Sequence, residues 1–162
     1  MEKIINELYR EIAETVNEMI PEEWAMFSFY AQISDDGGGT YFYYSPSQEL
    51  ENYKYSLDIL DNFHLDEKEF KVKKRKLYSL AKKMREVFKD NEQELWYSFT
   101  LTLERTGKLK VNFDYTDWFK TDYSISDQLM IWEYKYLKVM PNDEIGQQLI
   151  NRYLEEYPNN PI

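Results

Sequence analysis

The chain has 162 residues, a length at which a single domain can bury about 70% of its unfolded surface. Apolar residues make up 43% of it and aromatic residues 17%, so there is material for one hydrophobic core. Cysteine is absent, which excludes disulfide bonds and zinc–thiolate sites. The net charge of −10 disfavours direct binding of nucleic acid, whose affinity depends on clustered Lys and Arg, and it favours attraction to a basic partner.

The charge is unevenly distributed along the chain. Residues 66–90 contain ten basic and five acidic residues, which gives +5. The rest of the chain contains ten basic and 25 acidic residues, which gives −15. We therefore expect one basic helix on an acidic body, with any acidic steering surface lying away from that helix.

The first third of the chain predicts a helix followed by a β-hairpin. Apolar residues recur every three or four positions over residues 4–19, the spacing of an amphipathic helix, and Pro21 ends it. Apolar residues then alternate with polar ones over residues 24–33, which indicates a strand. Residues 34–39 include three glycines and predict a loose hairpin tip, after which residues 40–44 return as a second strand.

The middle of the chain predicts a long helix between two short β-elements. Tyr53 and Tyr55 suggest a short edge strand, and Asp66 is placed to cap the basic helix. Residues 97–104 and 109–115 alternate in the same way as the first strands, so they predict a second hairpin.

The last part predicts two helices and a loose end. Ser124 or Ser126 begins the first of these helices, and Pro141 and Asn142 end it and cap the next. The tail at residues 158–162, rich in Pro and Asn, is expected to be frayed.

This order of elements predicts an α+β fold. We expect one domain over residues 1–157, with an antiparallel sheet of four to five strands and helices packed mainly on one face. No strand–helix–strand repeat carries a phosphate loop, so a doubly wound nucleotide-binding fold is not expected.

The sequence offers little material for catalysis. His64 is the single histidine, and a His just before a helix is usually a surface residue. The glycines at residues 37–39 lie between two strands, so no helix N-terminus is present to receive a phosphate. The remaining reactive groups are two sets of carboxylates, Asp35 with Asp36, and Asp114 with Asp117 and Asp122. Neither set matches a calcium-binding loop, and we expect no catalytic residue, no cofactor and no metal.

Several segments together resemble the YezG/EsaG-like family of antitoxins, or immunity proteins. The matching segments are residues 96–104, 107–108, 111–115 and 131–137 with Pro141, and, in the first half, residues 24–25, 30–31 and 41–44. The run Trp-Glu-Tyr-Lys-Tyr-Leu at residues 132–137 is the most specific of them.

The resemblance implies an immunity function. Members of this family are cytoplasmic proteins of Gram-positive bacteria, often encoded beside LXG-type or EsaD-like toxins that the type VII system secretes. They bind the C-terminal domain of the toxin, commonly a nuclease, and the family implies no catalytic residues.

The residues add a hypothesis about the contact surface. Asp35, Asp36, Asp114, Asp117 and Asp122 would meet a basic toxin surface, with Trp118 and Phe119 as aromatic anchors. The alternative is that these aromatic residues are core and that the acids only maintain solubility. For Leu129, Trp132 and Tyr136 the helical spacing predicts the core.

Two other functions remain open from the residues alone. One is a protein-interaction module without a toxin, and the other is an enzyme with a carboxylate-bound divalent metal. The sequence shows no apolar run of signal-peptide length or of the roughly 20 residues that a membrane helix needs, so we expect a cytoplasmic protein with no membrane contact. Strand edges and the surplus of aromatic residues are compatible with a homodimer.

Overall fold

A computed structural model of the protein describes residues 1–47 and 49–162. The helices in that part are α1 (Glu2–Met19), α2 (Ile59–Asn62), α3 (Glu67–Asp90), α4 (Ile125–Leu137) and α5 (Glu144–Glu156), with short 3-10 turns at Ser56–Asp58 and Trp118–Lys120. The strands are β1 (Trp24–Ser34), β2 (Gly37–Pro46), β3 (Lys54–Tyr55), β4 (Ser98–Glu104) and β5 (Leu109–Asp114). No helix in the described part is long and apolar enough to span a membrane.

The strands form one five-stranded sheet in the order β3-β2-β1-β4-β5, and each neighbouring pair is antiparallel. This arrangement confirms the predicted α+β class, the two hairpins and the short edge strand near Tyr55. β1 lies in the centre and pairs with the first strand of the second hairpin. Its side chains are therefore covered on both faces over most of its length.

One face of the sheet carries α1 and α3. Both helices direct an apolar stripe towards alternate residues of the central strands, such as Phe27 and Phe29 of β1, which are fully buried. α3 begins where expected, because the Asp66 side chain accepts a hydrogen bond from the Glu69 amide at 3.1 Å. We call this side the first face.

The opposite, second face is covered by α4 and α5. Trp132 of α4 stacks on Tyr30 and Tyr43, with ring centroids 5.4 and 5.2 Å apart, and its indole Nε1 donates to Thr100 Oγ1 at 2.8 Å. The prediction that helices lie mainly on one face is therefore incomplete. The prediction is correct for the two longest helices, α1 and α3. On the second face, tyrosines and hydroxyl residues pack against a further layer, formed by α4 and α5, because their polar groups find hydrogen-bond partners there.

The tip of the first hairpin is tighter than predicted. The turn consists of Asp35 and Asp36, and the three glycines already belong to β2, with Gly37 opposite Ser34. The Ser34 hydroxyl donates to the Gly37 carbonyl oxygen at 3.2 Å, which helps to close the turn. Gly38 cannot carry a side chain, because a Cβ there would lie 1.8 Å from the carbonyl oxygen of Gln32.

The ends of the last two helices are set by side-chain caps. Ser124, one of the two predicted residues, starts α4 in a capping box with Asp127, each side chain accepting a hydrogen bond from the other's backbone amide. α5 is capped by Asp143, not by Asn142, since the Asp143 carboxylate accepts a 2.5 Å hydrogen bond from the Gly146 amide.

The tail at residues 158–162 is packed, in contrast to the frayed end that its composition predicts. The Tyr153 hydroxyl donates to Asn160 Oδ1 at 2.8 Å, and Lys135 Nζ donates to the carbonyl oxygens of Asn160 and Ile162. Ile162 is buried in the second-face cluster. The Tyr136 hydroxyl also donates to the Ile162 carbonyl oxygen, and the Ile162 amide donates to the Tyr153 hydroxyl, so the segment is held against the second face by hydrogen bonds as well as by the Ile162 side chain.

Candidate protein-binding surface

The fold brings both predicted sets of carboxylates to one end of the sheet. Gln32 of β1 pairs with Ser98 of β4, and Ser98 pairs with Asp114 of β5. The β1–β2 turn and the segment that leaves β5 therefore emerge at the same end of the sheet, with the start of β4 between them, and the ends of β1 and β5 are about 10 Å apart at two strand spacings. We call residues 35–36 together with 114–122 the Asp-rich end.

Two of the predicted contact residues are internal to this end. Asp114 and Trp118 are each only 2% exposed. The Asp114 carboxylate accepts hydrogen bonds from the Thr116 amide at 3.0 Å and from Trp118 Nε1 at 2.6 Å. The Trp118 ring packs against Tyr123 at 5.5 Å. These two side chains hold the segment after β5 in place, so they are not part of the exposed surface.

The other predicted residues of this segment reach the surface. Phe119 is 39% exposed and Asp122 is exposed, while Asp117 is partly exposed. Asp122 accepts two hydrogen bonds from Arg152 Nη2, both at 2.8 Å, and Asp117 lies 3.8 Å from Lys120 Nζ. The second oxygen of Asp117, Oδ1, is buried and has no hydrogen-bond partner among the described residues.

Arg152 links this surface to α5. It also donates to Glu156 at 2.9 Å, and Glu156 accepts from the Tyr123 hydroxyl at 2.8 Å. The hydrogen bond from Arg152 lowers the pKa of the Glu156 carboxyl most, and the hydrogen bond from Tyr123 lowers it further. Burial and the bond to Glu156 raise the pKa of Tyr123 to about 12. Hydrogen bonds that involve charged side chains therefore connect the Asp-rich end to α5.

The first-hairpin turn contacts the basic helix, which the sequence analysis did not foresee. Arg85 of α3 is only 8% exposed and donates to Asp35 Oδ1 and to the Trp96 carbonyl oxygen, both at 3.0 Å. The prediction that the acidic surface lies away from the basic helix is therefore wrong for Asp35. Its neighbour Asp36 is exposed and makes no ion pair among the described residues.

The sequence contained a signal for Arg85 that was missed. Arg85 follows the buried Ala81 by four positions and precedes the buried Phe88 by three, so it lies on the apolar stripe of α3. A charged residue at such a position needs a partner, and the hairpin turn supplies one.

The described residues do not form a metal site from their histidine and carboxylate side chains. No group of three or more His, Cys, Asp or Glu side chains is close enough to hold a metal ion there. His64 is exposed at the entry to α3. The carboxylates of the Asp-rich end instead bond to neighbouring side chains and amides, as described above.

The sequence matches the family described as "Immunity protein YezG-like" over residues 5–151. The chain belongs to the YezG-like family of immunity proteins. It is 31% identical to the immunity protein YezG of Bacillus subtilis over 150 residues, which are 93% of this chain and 99% of that protein. The YezG of Bacillus spizizenii is 32% identical over 153 residues, covering 94% and 92% of the two chains. The type VII secretion system protein EsaG of Staphylococcus aureus is 30% identical over 152 residues, covering 88% and 87%.

The segment with the most specific YezG-like signature belongs to the core. Residues 132–137 form the end of α4, where Trp132 is fully buried and Tyr136 packs against the second-face cluster together with Leu129. The predicted core position of Trp132 is therefore confirmed, and Leu129 and Tyr136 lie partly buried at the edge of the same cluster. The signature of this YezG-like chain therefore lies mainly at positions that pack α4 against the sheet.

Proposed function

We propose that this YezG-like protein is an antitoxin that binds the C-terminal, nuclease domain of a toxin secreted by the type VII system and neutralises it in the cytoplasm of the producing cell. The family match over residues 5–151 carries this proposal. The relative from Staphylococcus aureus supports the link to type VII secretion. The protein acts in this proposal by binding, without a catalytic residue, a cofactor or a metal.

The charge of the protein fits such a partner. A nuclease domain has a basic face for phosphates, and a protein of net charge −10 is attracted to it over long distances. The exposed carboxylates of Asp36 and Asp122 and the partly exposed carboxylate of Asp117 supply local charge at the Asp-rich end, and Phe119 supplies an apolar anchor.

The internal ion pairs of this surface do not oppose that role. Exposed ion pairs, such as that of Asp122 with Arg152, contribute only about 0–1 kcal/mol to stability. A basic residue of the partner therefore replaces Arg152 or Lys120 at little cost.

The direct experiment is co-expression of this protein with the C-terminal domain of the toxin encoded beside its gene. We expect growth to be rescued and a stable complex to be purified. Rescue without a complex, or no rescue at all, would contradict the proposal and would favour an interaction module without a toxin.

The Asp-rich end is tested by the triple variant Asp36→Asn, Asp117→Asn and Asp122→Asn. We expect the association rate with the toxin domain to fall about tenfold or more at low salt, and its dependence on salt to weaken, because steering charges act mainly on association. Stopped-flow fluorescence measures both quantities.

A matched control removes three exposed charges elsewhere. Glu51→Gln, Asp58→Asn and Asp61→Asn change the net charge equally near β3, at the far edge of the sheet. If this control slows association as much as the first variant, overall charge rather than the Asp-rich end accounts for the steering.

A further inference from the structure

β5 is an open edge of the sheet. It pairs with β4 and with no other strand in the described part of the chain. The opposite edge is formed by β3, which has two residues, and by the part of β2 that β3 does not pair with, whereas β5 forms its edge as one strand of six residues. Its register with β4 runs from Leu109 to Asp114 without a bulge, and it contains no proline. Of the devices that block an edge strand, β5 therefore lacks a bulge and a proline, but it carries an exposed lysine, Lys110, which disfavours an added strand that offers no acidic side chain.

The hairpin turn identifies which backbone groups of β5 point outward. The Glu104 amide donates to the Lys108 carbonyl oxygen at 3.0 Å, so these two residues form a hydrogen-bonded pair. In an antiparallel ladder such pairs alternate with non-bonded ones, which places the bonds to β4 at Lys110 and Asn112. The amides and carbonyls of Leu109, Val111 and Phe113 then face away from β4 and are free to pair with an added strand.

The two faces beside this edge differ in chemistry. On the first face, Leu109 is 41% exposed, and Val111 and Phe113 are half-buried at the rim of the core. On the second face, Lys110 borders an open groove of about 580 Å³. Its other walls include the hydroxyls of Ser28 and Thr102, and none of its lining residues is acidic.

The groove is a basic region on the surface of an acidic protein. Lys110 of β5 and Lys138, at the end of α4, both line it, and neither forms a salt bridge within the described residues. Lys138 donates only to the Lys135 carbonyl oxygen, at 3.0 Å. A carboxylate that entered the groove would meet the ammonium groups of Lys110 and Lys138, with no acidic side chain among the lining residues.

We infer that β5 accepts an extended segment of the partner protein as a sixth strand, in which apolar side chains towards the first face alternate with acidic side chains above the groove. The inference rests on the proposed function, because the partner that supplies the segment is the toxin domain. Backbone hydrogen bonds to an edge strand supply affinity, and the alternating side chains supply specificity.

A second copy of this chain fits the edge less well. Two copies of net charge −10 repel each other. The only acidic side chain of β5, Asp114, is buried and already accepts two hydrogen bonds, so a second β5 offers no carboxylate to Lys110.

The test compares Lys110→Glu with Lys76→Glu in the complex with the toxin domain encoded beside the gene. Lys76 is exposed on α3 and forms no ion pair in the described structure, so both variants change the net charge by the same amount. We expect Lys110→Glu to weaken the complex about tenfold more than Lys76→Glu, because it places like charges together at the contact. Isothermal titration calorimetry measures the difference.

Hydrogen exchange in the wild-type complex provides an independent readout. We expect the amides of Leu109, Val111 and Phe113 to become protected when the toxin domain binds. A complex that forms without this protection, or in which the two lysine variants are equal, overturns the edge inference but leaves the proposed function intact. Protection that appears in the isolated protein as its concentration rises assigns the edge to a second copy and also overturns the inference. Absence of any complex overturns both.

Discussion

Trp132 shows how a residue that identifies the family also stabilises the fold. Its ring lies between Tyr30 and Tyr43 on the second face, and its indole nitrogen donates to the buried hydroxyl of Thr100. Tyr43 in turn donates to the Glu133 carboxylate. A single side chain of α4 thus joins three strands of the sheet to the second layer of helices.

We predict that Trp132→Ala lowers the free energy of unfolding by about 3–5 kcal/mol, because it leaves a cavity and removes the partner of Thr100. Urea unfolding followed by circular dichroism measures the loss. We expect the folded fraction to bind the toxin domain with unchanged affinity. A variant of normal stability that fails to bind would show instead that Trp132 is a contact residue.

Asp114, which was predicted to contact the toxin, also stabilises the fold. As a carboxylate next to a strand end it resembles a surface residue in the sequence. Only its position beside the folded-back segment, with Trp118 Nε1 2.6 Å away, shows that it is an internal acceptor. The residues that remain candidates for binding are those whose side chains are exposed, Asp35, Asp36, Phe119 and Asp122, and the partly exposed Asp117.

At the level of elements, the first hairpin depends on one glycine for a steric reason. Gly38 pairs with Ile33, and its Cα faces the Gln32 carbonyl so closely that a methyl group cannot fit. The hairpin also supplies the Asp35 carboxylate to Arg85, so a shift of β2 would disturb the turn and the contact with α3 together.

We predict that Gly38→Ala costs about 1–3 kcal/mol of stability, since the β1–β2 register must shift to accommodate the new atom. Gly37→Ala is the matched control, because a Cβ there meets no atom within 4 Å and only the positive φ of 130° is unfavourable. Thermal unfolding of both variants tests the comparison. Equal losses would mean that backbone conformation, not the contact with Gln32, determines the effect.

At the level of the whole molecule, the tyrosines make stability sensitive to alkaline pH. Burial raises the pKa of Tyr30, Tyr44 and Tyr153 well above the ordinary value of 10.0, and the Glu133 carboxylate adds to the effect of burial at Tyr43. The pKa of Tyr123 is raised to about 12. In the unfolded chain these groups lose their protons near pH 10, so above that pH the unfolded state binds fewer protons than the native state.

We therefore predict that the free energy of unfolding falls as the pH rises from about 10 to 12, by about 1.4 kcal/mol per pH unit for each tyrosine that stays protonated in the native state. Urea unfolding at a series of pH values measures the slope, and tyrosinate absorbance shows whether ionisation accompanies unfolding. Constant stability up to pH 12 would contradict the burial of these phenols.

Most of the helices and strands, and the family, could be predicted from local patterns in the sequence. Period-two alternation gave both hairpins, period 3.6 gave α1, α3 and α4, and the caps Asp66 and Ser124 follow from local hydrogen bonding that needs no tertiary information. The Trp-Glu-Tyr-Lys-Tyr-Leu segment indicated the YezG-like family because that signature is local as well.

The face of the sheet on which a residue lies, the end of the sheet that it occupies and its exposure to solvent all depend on contacts between distant parts of the chain. The sequence does not distinguish an exposed tyrosine from one that stacks on Trp132. The layer of helices on the second face was therefore not predicted. Residues distant in sequence, such as Asp35 and Arg85, meet only through strand order, and the burial of Asp114 depends on how the chain turns back after β5. Long-range pairing also leaves β5 at the edge, which no local pattern of apolar and polar residues specifies.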